Sequence, residues 1–230
     1  VELGSVDAAG IAGTAAAGGG TAAAPSPGDR SAPVTLYLDS MSWDGEPRLT
    51  LTRPGHRGTL WRKAWTSGVD RAESWSELFR LIHDEGRGLH ILGTREWQDY
   101  ELSADVTPHM ASAAGIAARV QGMRRYYALL LCAKGRAQDR RGDPGPKVRL
   151  VKAMAGETVL AESSFDWEFG TTYRLKLAVS GSRIRAWVDD QLLFDVEDHD
   201  RPLESGAIAL VCEEGRTATR TVTVHPVKAT

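Results

Sequence analysis

From residue 99 to residue 189, apolar and polar side chains alternate with a period of two. Gly, Pro, Ser or Asp breaks the alternation every eight to twelve residues. A period of two fits a half-buried strand and no helix, so this pattern alone confines the chain to antiparallel β architecture. Strands are expected at TLYL (35–38), RLTLT (48–52), TLWRKAW (59–65), LFRLIHD (78–84) and LHIL (89–92). Nine more follow at 99–106, 115–122, 125–132, 148–153, 158–163, 172–179, 183–189, 207–212 and 217–225, which makes about fourteen. The SGS turn at 180–182 joins two alternating runs as a hairpin. Only Glu73–Leu78 has helical character, and no repeat of propeller or solenoid period occurs. The fold class expected is all-β, a two-sheet antiparallel sandwich.

Alternation also assigns faces. Tyr100, Leu102, Ala104 and Val106 oppose Glu101, Ser103 and Asp105. Ile116, Ala118 and Val120 oppose Ala117, Arg119 and Gln121. Tyr173, Leu175, Leu177 and Val179 oppose Arg174, Lys176 and Ala178, and Ile184, Ala186 and Val188 oppose Arg183, Arg185 and Trp187. Each sheet is thus expected to have one dry and one wet face.

Residues 1–34 break the pattern: ten Ala and seven Gly fill half the segment, with Pro25, Pro27 and Pro33 near its end. Such composition buries little, so it reads as a linker, with the folded domain at 35–230 and a further domain expected upstream. Twenty-eight Lys+Arg against 30 Asp+Glu give a net charge of −2, which excludes a broad nucleic-acid or membrane-surface footprint. No apolar run is long enough for a spanning helix. Cys132 and Cys212 end the runs ALLLC and AIALVC. They read as two buried thiols, with one bridge between neighbouring strands as the alternative, and free thiols lean towards the cytoplasm.

Catalytic patterns are missing. No G-x-S-x-G elbow, phosphate loop or HExxH occurs, and the six His residues are scattered. Glu101 and Asp105 share a strand face, but four residues separate their backbones by ~13 Å, beyond the reach of a glycosidase pair. The loop DVEDHD gathers Asp195, Asp198 and Asp200, hard oxygen donors that suit a structural Ca²⁺, although Asp in turns has its own hydrogen bonds to make. The loop KGRAQDRRGDPGPK (134–147), with five Lys/Arg and two Asp, reads as a solvated connection.

What remains is the wet face. Planar polar side chains and aromatic rings on adjoining strands suit a sugar, by hydrogen bonds to hydroxyls and ring stacking on C–H surfaces. Arg119, Gln121 and Tyr127 are expected at the centre of a shallow groove, with Trp187 and Arg149 at its edges. Arg119 interrupts the small apolar run AGIAARV, where a charge must meet solvent, a carboxylate or a ligand. A one-residue slip in register would put Tyr126 in place of Tyr127. The bland alternative is that these aromatics only cover the sheet or pack on a neighbouring domain.

Several stretches resemble a known family when read in order: GTREWQDYELSADVTP, AGIAARVQGMRRYYALLL, VRLVKAMAGETVLAE, YRLKLAVSGSRIRAWVDDQLLFD and PLESGAIALVCEEGRTA. The order resembles the concanavalin A-like or laminin-G-like jelly roll over 35–227. LYLDSMSWDGEPRLTLTRPG and LWRKAWTSGVD resemble the C-terminal accessory region of actinobacterial proteins of the ADP-ribosylglycohydrolase family. The resemblance implies a non-catalytic module that binds a glycan or ADP-ribose-like ligand beside an upstream catalytic domain. It also implies an Arg and a Tyr, matching Arg119 and Tyr127, on the ligand-facing sheet. That family's hydrolases are helical and hold paired magnesium ions with clustered acids, and this chain has neither feature. An interdomain packing domain and a glycoside hydrolase of the same fold are the competing readings.

Overall fold

Thirteen strands run through the residues that the computed structural model describes, 47–52, 64–73, 79–134 and 145–227. No α-helix occurs among them. The linker at 1–34, the strand expected at 35–38 and most of the basic loop lie outside the described residues, and so does most of the segment 73–78 expected to have helical character.

Two long strands organise the sandwich: β4 (Phe79–Leu92) and β13 (Ala207–Pro226). Each was expected as two strands separated by a turn. The first sheet runs β12 (Gln191–Glu197), β11 (Arg183–Val188), β10 (Tyr173–Ser180), β5 (Tyr100–Pro108) and the C-terminal half of β13, which also pairs with β1 (Leu49–Leu51). The second runs β9 (Glu157–Ser164), β8 (Lys147–Met154), β7 (Arg125–Cys132), β6 (Ala113–Gly122) and the N-terminal half of β13. β4 follows β13 along both halves and carries β2 (Trp65–Gly68) and β3 (Arg71–Glu73) on its other edge. All pairings are antiparallel. This is the expected jelly-roll sandwich.

β13 crosses between sheets by breaking its own parity twice. Leu210 and Cys212 face the core before a bulge at Glu213–Gly215, and buried Thr217 and Thr219 follow it. A second irregularity between Thr219 and Val222 returns Val222 and Val224 to the core. A bulge adds one residue and bends the strand, which lets one strand serve both layers.

The inter-sheet core holds Leu102, Val106, Leu175, Leu177, Ile184 and Val188 of the first sheet. Against them pack Ile116, Tyr127, Leu129, Leu131, Leu150 and Leu210 of the second. Fully burying each such side chain contributes roughly 1.5–3 kcal/mol. The faces assigned to β5, β10 and β11 are as expected. Those of β6 are not. Ile116 and Ala118 point inwards, whereas Val120 joins a second apolar cluster on the opposite face of the same sheet, with Ala117, Ala128, Leu130 and Val211. The switch falls at Arg119, whose φ of 50° and the pairing shift between Ala118 and Gly122 mark a bulge. The outer face of the second sheet is therefore buried too, contrary to the expected wet face. The hydrophilic sheet surface belongs to the first sheet.

Candidate functional site

The residues expected at the groove centre do converge, but on a loop of the protein. Arg119 is 1% exposed. Its guanidinium donates to the carbonyls of Gln98 (3.1 Å), Gly181 (2.6 Å) and Leu203 (2.6 Å) and to Asp99 Oδ1 (2.9 Å). Burial lowers its pKa while Asp99 opposes that shift. Tyr127 is fully buried; its hydroxyl donates to Asp198 (2.5 Å) and accepts from the Leu203 N–H (2.8 Å). Burial raises the Tyr127 pKa, so the phenol stays a neutral donor. Gln121 donates to the Ser205 carbonyl (2.9 Å). All three fasten the connection between β12 and β13. The bulge at Arg119 turns its long side chain towards the end of the sandwich, where loop carbonyls replace water. These hydrogen bonds make the three residues a structural clamp, and Arg119 also lines a cleft of about 340 Å³ with Gln98, Asp99, Ser182, Pro202 and Glu204.

Lys152 completes the clamp. It is buried, pairs with Asp198 (2.6 Å) and donates to the carbonyls of Arg201 (2.9 Å) and Asp200. Despite its burial, the Asp198 carboxyl is held below its usual range by Lys152 and Tyr127. The carboxylates of Asp195, Asp198 and Asp200, read as donors that suit a structural Ca²⁺, point to protein cations or to solvent. An internal ammonium occupies Asp198, Asp195 is bidentate to Arg183 (2.7 and 2.6 Å), and Asp200 is exposed beside Arg201. No metal-ligating cluster occurs among the described residues.

Arg149 and Trp187, expected at two edges of one groove, lie on different sheets. Arg149 pairs with Glu162 (2.5 Å) on the outer side of β8. Trp187 stands half-buried on the outer face of the first sheet, and here the surface chemistry is concentrated. Straight across this sheet, pairing aligns Thr50, Thr223, Ser103, Lys176 and Trp187, with Leu192 at the edge. Three hydroxyls thus lead to a cation, an indole and an apolar side chain that is 48% exposed.

Charges flank this row in alternation. Arg174 pairs with Asp105 (3.1 Å) and approaches Asp190 (3.9 Å), while Lys176 lies 3.8 Å from both Glu101 and Asp190. Lys176 and Arg185 sit 5.4 and 5.5 Å from the Trp187 ring centroid, each within cation–π distance. The hairpin turn places Asp190. Asp189 and Asp190 have φ of 48° and 64°, and the Asp189 carboxylate accepts from the Arg174 N–H (2.8 Å), pinning the turn to β10. Glu101, Ser103, Asp105, Arg174, Lys176 and Asp190, with Thr221 and Thr223, line a shallow cleft of about 340 Å³. This lies in the lower range of small-ligand sites, ~300–1,000 Å³. Thr223 and Leu192 escaped the sequence reading because each reaches the face through a pairing partner, and Asp190 because the hairpin turn carries it there.

No protein-family model and no curated protein matches the chain. Solved structures do. The carbohydrate-binding module CBM66 from Bacillus subtilis superposes with a TM-score of 0.60 at 19% identity, over 70% of this chain and 95% of that one. The exoplasmic/lumenal domain of VIP36, bound to Ca²⁺ and Man3GlcNAc, gives 0.54 at 13% identity over 79% and 89%. A Bacillus licheniformis β-glucanase gives 0.54 at 10% identity over 78% and 98%. At these identities the likeness is one of fold: the chain is an antiparallel jelly-roll sandwich of the galectin-like and concanavalin-like kind.

Proposed function

We propose that this chain is a non-catalytic carbohydrate-binding module whose ligand lies across the outer face of the first sheet. The row Thr223–Ser103–Lys176–Trp187 carries the reading: hydroxyls and charged groups suit sugar hydroxyls, and the indole and Leu192 suit the apolar face of a pyranose ring. The fold shared with a carbohydrate-binding module and with a domain bound to Man3GlcNAc supports it. A hydrolase reading, prompted by the β-glucanase neighbour, finds no support on this face. There Glu101, Asp105 and Asp190 are each committed to a cation, whereas general acid catalysis needs a carboxyl held protonated.

The resemblance of 36–55 and 60–70 to accessory regions of the ADP-ribosylglycohydrolase family supports a further step. The module would serve a catalytic domain of that type in the same polypeptide, and ADP-ribose joins glycans as a ligand to test. A glycan array followed by calorimetry on the hits tests the function. Trp187→Ala should weaken binding at least about tenfold, as expected for loss of a stacking contact and a desolvated edge, with the melting temperature unchanged. A blank array for the wild type, or full affinity in Trp187→Ala, would overturn this placement of the site.

A further inference from the structure

The bulge of β13 builds a second cleft. Because parity reverses between Cys212 and Thr217, Arg216 faces outwards, opposite Ile82 of β4. Gly215 has a φ of 149°, and a Cβ there would lie 2.2 Å from the Met110 carbonyl oxygen. Only glycine lets the connection between β5 and β6 lie directly on β13. The connection is held there by the His109 N–H donating to the Arg216 carbonyl (2.8 Å) and the Ser112 N–H donating to that of Glu213 (2.9 Å). Between it and β4 opens a cleft of about 410 Å³ lined by Arg80, Ile82, Asp84, His109, Met110 and Arg216.

Two guanidinium groups and an imidazole therefore share one opening. Among the described residues the buried His109 Nε2 has no hydrogen-bond partner. Leaving such an atom unsatisfied is costly, so a ligand that reaches the ring gains what the fold leaves unmade. Guanidinium groups donate and never accept, a set that matches an anion with several oxygens. Asp84 adds an acceptor on the same opening, and Met110, 79% exposed, adds an apolar rim.

We propose that this cleft binds an oxyanion, the phosphate, sulfate or carboxylate group of a ligand, held by Arg80, Arg216 and the His109 ring. The site is independent of the Trp187 face. Its test is titration of sodium phosphate, sulfate and acetate into ¹⁵N-labelled protein at constant ionic strength, with chloride as the balancing salt. The His109 ring and the amides of Gly215 and Arg216 should shift saturably for at least one of the three oxyanions. Arg216→Gln and His109→Gln should each weaken that binding about tenfold or more, the loss expected for a hydrogen bond to a charged group. Arg216 is exposed, so its variant should melt as the wild type does. Arg183→Gln, on a different strand, and Trp187→Ala should leave oxyanion affinity unchanged, so this site and the carbohydrate face fail separately. Shifts that grow linearly without saturation for all three anions, or affinities unaltered in both cleft variants, would overturn the proposal.

Discussion

Single side chains decide how this sandwich holds its loop. Lys152 and Asp198 form an ion pair with both side chains under a tenth exposed. Removing one partner of such a pair leaves the other charge buried, which costs roughly 3–5 kcal/mol. Lys152→Met should lower the urea midpoint accordingly, and the double change Lys152→Met with Asp198→Leu should recover part of the loss. Arg119→Ala belongs to the same class: it should destabilise the fold, because three carbonyls and Asp99 lose their donor at once. His90 sets a pH dependence. It stacks on Trp65 (4.6 Å between centroids, 4° between planes), and burial lowers its pKa to about 4. The folded state therefore refuses a proton that the unfolded chain accepts from about pH 6.5 downwards. Stability is undiminished by this group above that pH and falls as pH drops towards 4, by roughly 3 kcal/mol in all. Urea titrations at successive pH values should show this loss in the wild type and not in His90→Gln.

At the scale of elements, the bulges carry the architecture. Alternation placed the inward residues of β5, β10 and β11 correctly, since each keeps a strict period of two. It misassigned β6, where an inserted residue reverses parity and nothing in residue type announces the insertion. The paired-strand reading at 207–225 failed for the same reason: Glu213–Gly215 has turn composition, yet it serves as a bend inside one strand. Inserting one Ala after Glu214 tests this. With one residue more than the bulge absorbs, Arg216 and Ala218 would take the inward positions of Thr217 and Thr219. Circular dichroism and a urea melt should show a chain that no longer unfolds cooperatively.

For the whole molecule, two layers explain the chemistry of the thiols. Cys212 faces the inter-sheet core and Cys132 the apolar outer side of the second sheet, so the two lie on opposite faces and share no disulfide. Burial pushes the Cys212 thiol up to about 11, and a buried thiol is a poor nucleophile. Neither should react with a thiol reagent while the protein is folded. Both should label in urea, with Cys212 following the global unfolding transition.

Period-two alternation, turn residues and the absence of helical patterning were enough to establish an antiparallel sandwich, because each is a local consequence of how side chains leave a strand. The same local reading picked Arg119, Gln121 and Tyr127 as companions, and they do meet. Whether they meet a ligand or a loop depends on the path of residues 198–206, which approach them only through the tertiary fold. Trp187 was legible as an outward aromatic. Its hydroxyl and charged neighbours were not, because register between strands distant in sequence brings Thr223 beside Ser103 and Ser103 beside Lys176. Local chemistry fixes which way a side chain points along its own strand, whereas pairing and bulges, set by packing of the whole core, fix what it points at.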